Sequence, residues 1–72
     1  MRNFLFVGDK REVLGVWVAD SDADAKRLRL KLSLKYPNCQ TIVGQSPDFE
    51  ALKARYREFE FGALEPDLAS AV

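Results

Sequence analysis

The sequence predicts a small α+β domain in which a three-stranded mixed sheet carries two helices on one of its faces. Two runs rich in aromatic and β-branched residues open the chain, and a capped stretch of helix-forming residues follows them. A third strand-like run and a second amphipathic stripe complete the order ββαβα. The 72 residues are enough for one domain, which we place at residues 1–62. Residues 63–72 contain a proline, small side chains and no periodicity, so we expect a flexible C-terminal tail.

The first two strands are predicted to form a hairpin. Residues 4–7 (FLFV) are continuously apolar, as in a strand that is buried on both faces, and residues 8–11 (GDKR) form a polar turn. Residues 12–19 (EVLGVWVA) are rich in valine and follow after a short connection, which favours antiparallel pairing. Gly15 within this second run indicates a bulge or close packing.

The segment from Asp20 to Tyr36 carries signals for both a helix and a strand. Asp20, Ser21 and the acids after them provide capping oxygens and first-turn carboxylates, and most residues that follow are strong helix formers. Residues 27–36 (RLRLKLSLKY) nevertheless alternate strictly, which is the period of a strand. We predict a helix because none of these residues is β-branched and because Pro37 ends the segment. A strand is the alternative, and it would line its cations along one face of the sheet.

A helix over this segment would be apolar on two sides. Leu30 and Leu34 fall nearly opposite the stripe that we assign to the sheet. Because a helix with two apolar sides normally has two neighbours, we expect these leucines to contact the later helix or another subunit. The stripe assigned to the sheet consists of Ala25, Leu28, Leu32 and Tyr36.

The remaining elements are a third strand and a second helix. Residues 39–44 (CQTIVG) form the predicted strand. Ser46 is a suitable N-cap for the helix, Pro47 suits its first position, and we expect the helix to end before Gly62. The apolar stripe of this helix consists of Phe49, Leu52, Tyr56 and Phe59.

The order of the elements predicts the topology. A right-handed crossover makes the second and third strands parallel, and the most apolar strand belongs between them, which gives the sheet order 2-1-3. Both helices then cover one face of the sheet and leave the other face open. Because a domain of this size buries only about 60% of its unfolded surface, we expect dimerisation to add stability.

The composition and the motifs of the sequence argue against several classes of function. Eleven basic residues balance eleven acidic ones, so the chain lacks the overall basic field of a nonspecific nucleic-acid binder. With no His and one Cys, the usual metal clusters and nucleophile pairs are absent. Asp20, Asp22 and Asp24 resemble the opening of a calcium loop, but Ala25 and Lys31 stand where that motif needs Gly and Glu. We therefore expect no metal, no cofactor and no enzymatic activity.

The sequence also bears on membranes and compartment. It has no run of about 18 apolar residues and no signal-peptide pattern at its N-terminus. We expect a cytoplasmic protein that does not contact membranes.

The leading functional hypothesis is a small protein-interaction or accessory module that forms a homodimer and binds a further protein. Leu30 and Leu34 are the candidate interface, because their side of the helix has no assigned neighbour. Trp17 joins them if the second strand is a sheet edge with an open face.

The alternative hypothesis is a nucleic-acid-binding accessory protein that uses the cationic stretch 26–35. Within this stretch Arg27, Lys31 and Lys35 have the i, i+4 spacing of one helical row, which could follow the phosphates of a strand.

Overall fold

The structure, a computed structural model, describes residues 1–69 and contains two helices and a four-stranded mixed sheet. The sheet order is β3-β1-β2-β4, with β1 antiparallel to both β2 and β3 and β2 parallel to β4. The predicted order of the first three strands is confirmed, and the fourth strand was missed. The elements in chain order are β1 (Arg2–Asp9), β2 (Glu12–Ala19), α1 (Asp22–Lys35), β3 (Gln40–Ser46), α2 (Phe49–Arg55) and β4 (Asp67–Leu68).

The two helices lie on opposite faces of the sheet, so the prediction that they share one face is wrong. Successive residues of a strand point to opposite faces. Accordingly Leu5 and Val7 of β1 pack against α1, and Phe4 and Phe6 pack against the α2 side. All four side chains are at most 1% exposed, because each face of β1 has its own cover. The predicted burial of β1 on both faces is therefore confirmed.

The hairpin between β1 and β2 contains a bulge. Val7 pairs with Gly15 and Gly8 pairs with Val13, so Leu14 is the extra residue on β2. The bulge changes the side-chain alternation, and Val13 therefore faces α2. After the bulge, the buried residues Val16–Ala19 of β2 pair regularly with β1. Leu14 itself is 41% exposed.

The turn of this hairpin places Lys10 in the left-handed region, at φ 60°. The left-handed conformation costs a residue that has a Cβ atom about 1–2 kcal/mol, and glycine avoids this cost. Glycine also makes the unfolded chain more flexible, which lowers the stability by about 0.5–1 kcal/mol. We expect Lys10→Gly to raise the free energy of unfolding by about 0.5–1 kcal/mol in urea denaturation. Arg11→Gly is the matched control and should lower it, because Arg11 has no positive φ to relieve. Equal effects at both positions would contradict the assignment of strain to Lys10.

Helix α1 is confirmed over the strand alternative. The Ser21 hydroxyl accepts a hydrogen bond from the backbone N–H of Asp24 at 3.1 Å, which caps the helix start. The helix ends when the Tyr36 N–H donates to the Leu32 carbonyl, immediately before Pro37. The strict alternation of Leu with polar residues turns each successive leucine by about 200°, so leucines fall alternately inside and outside.

Helix α2 is shorter than predicted and begins later. Ser46 is the last residue of β3 and is buried, whereas the Asp48 carboxylate caps the helix by accepting from the Ala51 N–H at 2.8 Å. The helix ends at Arg55, which is before Gly62 as predicted, but Tyr56 and Phe59 of the predicted helical stripe lie beyond its last residue. The chain leaves the helix because its next residues pair with the hairpin and bury another aromatic ring.

That pairing covers the outer edge of β2. The Glu60 N–H donates to the Arg11 carbonyl at 2.6 Å, and the Glu60 carbonyl accepts from the Val13 N–H at 3.0 Å. Phe61 then enters the core on the α2 face. Further along, Asp67–Leu68 pairs in parallel with Trp17 and Val18 as β4.

The predicted tail thus contributes a strand to the sheet. The described part of the predicted tail also packs Leu64 against the α2-side core and Ala69 against the α1-side core. The flexibility of this segment stays a prediction, and residues 70–72 lie outside the described residues. Within residues 1–69, neither helix has the length and apolar character needed to cross a membrane.

Candidate functional site

The solvent-facing side of α1 exposes two leucines. Ala25, Leu28 and Leu32 point to the sheet and are buried, which fixes the rotation of the helix. Leu30 and Leu34 therefore face away from the sheet and are 64% and 75% exposed. The predicted separation of these leucines from the sheet-facing stripe is confirmed. The later helix does not cover them, because α2 lies on the other face of the sheet.

Basic side chains flank the exposed leucines on both sides. Lys26 and Arg29 line a groove between α1 and β3, and Arg27 and Lys31 line a second groove between α1 and the β4 segment. At 100° per residue, Lys35 continues the row of Arg27 and Lys31 at the C-terminal end of the helix. We call Leu30, Leu34 and these five cations the α1 surface.

The five cations of the α1 surface are only partly offset by Asp20, Asp22 and Asp24, which line the same two grooves near the start of the helix. Among residues 1–69, its one ion pair joins Arg27 to the Asp24 carboxylate at 3.6 Å, with both side chains largely exposed to solvent. An exposed pair of this kind contributes at most about 1 kcal/mol. Lys35 lies 5.7 Å from the centroid of the Tyr36 ring, a contact that leaves its charge in place. The surface therefore combines exposed apolar area with a positive local field.

A hydrogen-bonded chain anchors the start of α1 to the sheet. The Gln45 side-chain amide Nε2 donates to the Asn3 side-chain carbonyl at 3.0 Å, and the Asn3 side-chain amide Nδ2 donates to the Asp22 carboxylate at 3.1 Å. These contacts connect β3, β1 and α1 in turn. They hold the helix start in place beside the groove that contains Lys26 and Arg29.

Trp17 does not belong to the α1 surface. Its indole lies beneath α1 in the core with Leu28 and Leu32 and is 8% exposed. The ring also lies over Gly15, where an added Cβ atom would come within 2.5 Å of the indole Cη2 atom. Of the three residues predicted to form an interface, the structure exposes the two leucines and places Trp17 in the core. The glycine two residues before Trp17 was a sequence signal for this close packing.

The aromatic residues do not form a stacking platform beside the cations. Phe6 meets the Tyr56, Phe59 and Phe61 rings edge to face, at centroid distances of 5.2, 5.2 and 5.1 Å. This aromatic cluster lies on the α2 face, across the sheet from α1. Single-strand recognition through stacked bases needs aromatic rings and cations on one surface.

The acidic residues at the start of α1 do not converge on one point. Asp22 accepts from Asn3 in one groove, whereas Asp20 and Asp24 line the groove on the other side of the helix. Groups of three or more metal-ligating side chains are absent from the described part of the chain. The helix uses these carboxylates at its N-terminus, where negative charge stabilises the helix dipole.

Comparison with known proteins was made for families, for curated sequences and for solved structures. No significant match was found in any of the three.

Proposed function

We propose that the protein is a non-enzymatic interaction module whose α1 surface binds an acidic, partly apolar segment of another protein. The observation that carries this proposal is the exposure of Leu30 and Leu34, at 64% and 75%, between two groups of basic side chains. Complete burial of a leucine side chain is worth about 1.5–3 kcal/mol, so two leucines can supply a central contact.

The cations around the leucines specify the chemistry of the partner. Lys26 and Arg29 stand on one flank and Arg27 and Lys31 on the other, so a bound segment meets positive charge on both sides. Carboxylates on the partner would match this field, speed association and disfavour basic competitors. An amphipathic helix with leucines and glutamates on one face has the required pattern.

The same charge argues against a second copy at this surface. A twofold pairing of α1 with itself would bring two sets of the same five cations together. The acids of α1, Asp22 and Asp24, lie at one end of the helix and are away from the leucines. Like-charge contacts across an interface are unfavourable, so the predicted homodimer is not assigned to Leu30 and Leu34.

Nucleic acid is the competing ligand for this surface. The row of Arg27, Lys31 and Lys35 favours it, since the three cations follow one side of the helix. Phosphates would make no use of Leu30 and Leu34, however, and the aromatic cluster lies on the other side of the sheet. The two ligands therefore differ in whether the leucines contribute to binding.

The test measures fluorescence anisotropy of two labelled probes, an amphipathic peptide with Leu and Glu on one face and a single-stranded oligonucleotide. We expect the peptide to bind and Leu30→Ala to weaken its binding at least about tenfold, the equivalent of 1.4 kcal/mol. Leu14→Ala is the matched control, because Leu14 is an exposed leucine outside α1, and it should leave binding unchanged.

The opposite results are equally specific. Peptide binding that Leu30→Ala and Leu34→Ala leave intact would overturn the proposal, as would absence of binding. Oligonucleotide binding that falls steeply with salt and is lost in Lys31→Ala but kept in Leu30→Ala would assign the surface to nucleic acid.

A further inference from the structure

Strand β3 has an open outer edge. The opposite side of the sheet is covered, because Glu60 and β4 pair with the outer edge of β2. Among residues 1–69, β1 is the one strand that pairs with β3, over the whole length from Gln40 to Ser46. The outward N–H and C=O groups of this edge strand are therefore available to another strand.

The hydrogen-bond pattern of the sheet shows which residues of β3 direct their backbone N–H and C=O groups away from β1. The Val13 backbone N–H donates to the Glu60 carbonyl, so the backbone N–H and C=O groups of Val13 point away from β1. In an antiparallel pair, the backbone groups of its partner Gly8 then point towards β3. Alternation along the paired strands then directs the backbone groups of Gln40 and Ile42 inward. The backbone N–H and C=O groups of the alternate residues, Thr41, Val43 and Gln45, therefore point outward from the sheet edge.

An independent contact agrees with this assignment. The Arg55 guanidinium donates to the Gln45 carbonyl at 2.9 Å, from outside the β1–β3 ladder. A carbonyl oxygen has two lone pairs, so Gln45 can accept a second hydrogen bond from another strand.

The residues of β3 themselves lack most of the features that normally prevent pairing between molecules, and the Arg55 guanidinium occupies the edge at the Gln45 carbonyl, near one end of the strand. Residues Gln40–Ser46 (QTIVGQS) include no charged residue and no proline, and their pairing with β1 shows no bulge. Natural edge strands are usually protected by a lysine, a proline, a bulge or a covering segment. The central outward residue, Val43, also exposes 39% of its surface.

We propose that two copies of this chain associate by antiparallel pairing of their β3 edges, with Val43 on the twofold axis. Val43 then pairs with the partner's Val43, and Thr41 pairs with the partner's Gln45. Since Thr41 and Gln45 are each two residues from Val43, the three outward positions of one copy match those of the other. The pairing makes six backbone hydrogen bonds and joins the two sheets into one of eight strands.

Charge favours this edge over α1 for self-association. The strand residues that meet are uncharged, with Lys26, Arg29 and Arg55 beside them, whereas two α1 surfaces oppose all five of each other's cations directly. The edge dimer leaves Leu30 and Leu34 exposed on each copy. Val43 and Gln45 share a groove with Lys26 and Arg29 of the α1 surface, but different substitutions test the two proposals, so either can fail alone.

The test uses opposite charges at the twofold axis. In the proposed register the two Val43 Cα atoms are about 5.5 Å apart, so Val43→Lys or Val43→Glu alone places like charges side by side. We expect the unmodified chain to sediment at twice its 8.2 kDa mass at high concentration, with concentrations from about 10 µM to 1 mM covering weak association. Each variant should sediment as a monomer, and an equimolar mixture of the two should recover a dimer.

Hydrogen exchange of the unmodified chain supplies a second test that needs no substitution. At high concentration the amides of Thr41, Val43 and Gln45 should be protected, and dilution should remove their protection while Ile42 and Gly44 keep theirs.

Three results would overturn the proposal. The first is a chain that stays monomeric at every concentration. The second is a dimer that persists in both folded Val43 variants. The third is a dimer that is lost in Leu30→Glu/Leu34→Glu and kept in the Val43 variants, which would place the contact on α1.

Discussion

Replacement of Leu32 by alanine is expected to lower the free energy of unfolding by about 2–5 kcal/mol. Leu32 is 0% exposed and joins α1 to Leu5, Val7 and Trp17 of the sheet. A chain of 72 residues has a total stability of about 4–11 kcal/mol at the usual value per residue. The substitution therefore removes a large part of the stability, because it leaves a cavity between the helix and the sheet. Urea denaturation followed by circular dichroism measures the change.

The neighbouring leucines of α1 provide matched controls for this substitution. Leu30→Ala and Leu34→Ala delete the same atoms from the same helix, yet these side chains face solvent. We expect each to change the free energy of unfolding by less than about 0.5 kcal/mol. A cost at Leu30 or Leu34 as large as that at Leu32 would contradict the observed rotation of the helix and would mean that these leucines are not free to contact a partner.

Addition of a single methyl group at Gly15 is expected to cost about 1–3 kcal/mol, the usual range for overpacking a core. The new Cβ atom would lie 2.5 Å from the Trp17 indole, which is itself held between the sheet and α1. The ring must move, and its environment should become more polar. Because Trp17 is the single tryptophan, its fluorescence emission reports the change directly, and we expect a shift to longer wavelength.

A double-mutant cycle separates the indole contact from a general effect on the strand. In a Trp17→Leu background the methyl group at position 15 no longer meets a ring, so most of the cost of Gly15→Ala should disappear. An unchanged cost in that background would assign the effect to the backbone of β2.

The sequence contained the information needed to place the helices on opposite faces. Continuous burial of Phe4, Leu5, Phe6 and Val7 requires a cover on each face of β1, since neighbouring side chains of a strand point in opposite directions. The chain has two helices, and one on each face meets that requirement. A right-handed crossover places α1 on one face and does not decide the face of α2, whereas the burial of β1 on both sides requires α2 on the other face.

The end of α2 and the fourth strand had no comparable local signal. Phe59 continues the spacing of the helical stripe, and yet it lies beyond the last helical residue, Arg55. The backbone of Glu60 leaves the helix to pair with Arg11 and Val13, which are about fifty residues earlier in the chain. β4 is only two residues long, too short for any periodicity. Tertiary pairing determines both features.

The exposed leucines of the candidate site could be predicted from the sequence, unlike the end of α2 and strand β4. Helical geometry alone separates Leu30 and Leu34 from Leu28 and Leu32, and the structure agrees. The sequence did not distinguish the exposed edge of β3 from the covered edge of β2. That distinction depends on the path of the chain after α2.

The position of β1 in the sheet has a consequence for the order of biosynthesis. Phe6 is made near the beginning of the chain, and its aromatic cover includes Tyr56, Phe59 and Phe61, which are made near the end. A nascent chain that stops before Phe61 leaves the centre of its first strand incompletely covered. The α1 face and the α2 face share β1, so neither layer is complete without it. We therefore expect the domain to reach its stable state only after residues up to Phe61 have been translated, in one cooperative step.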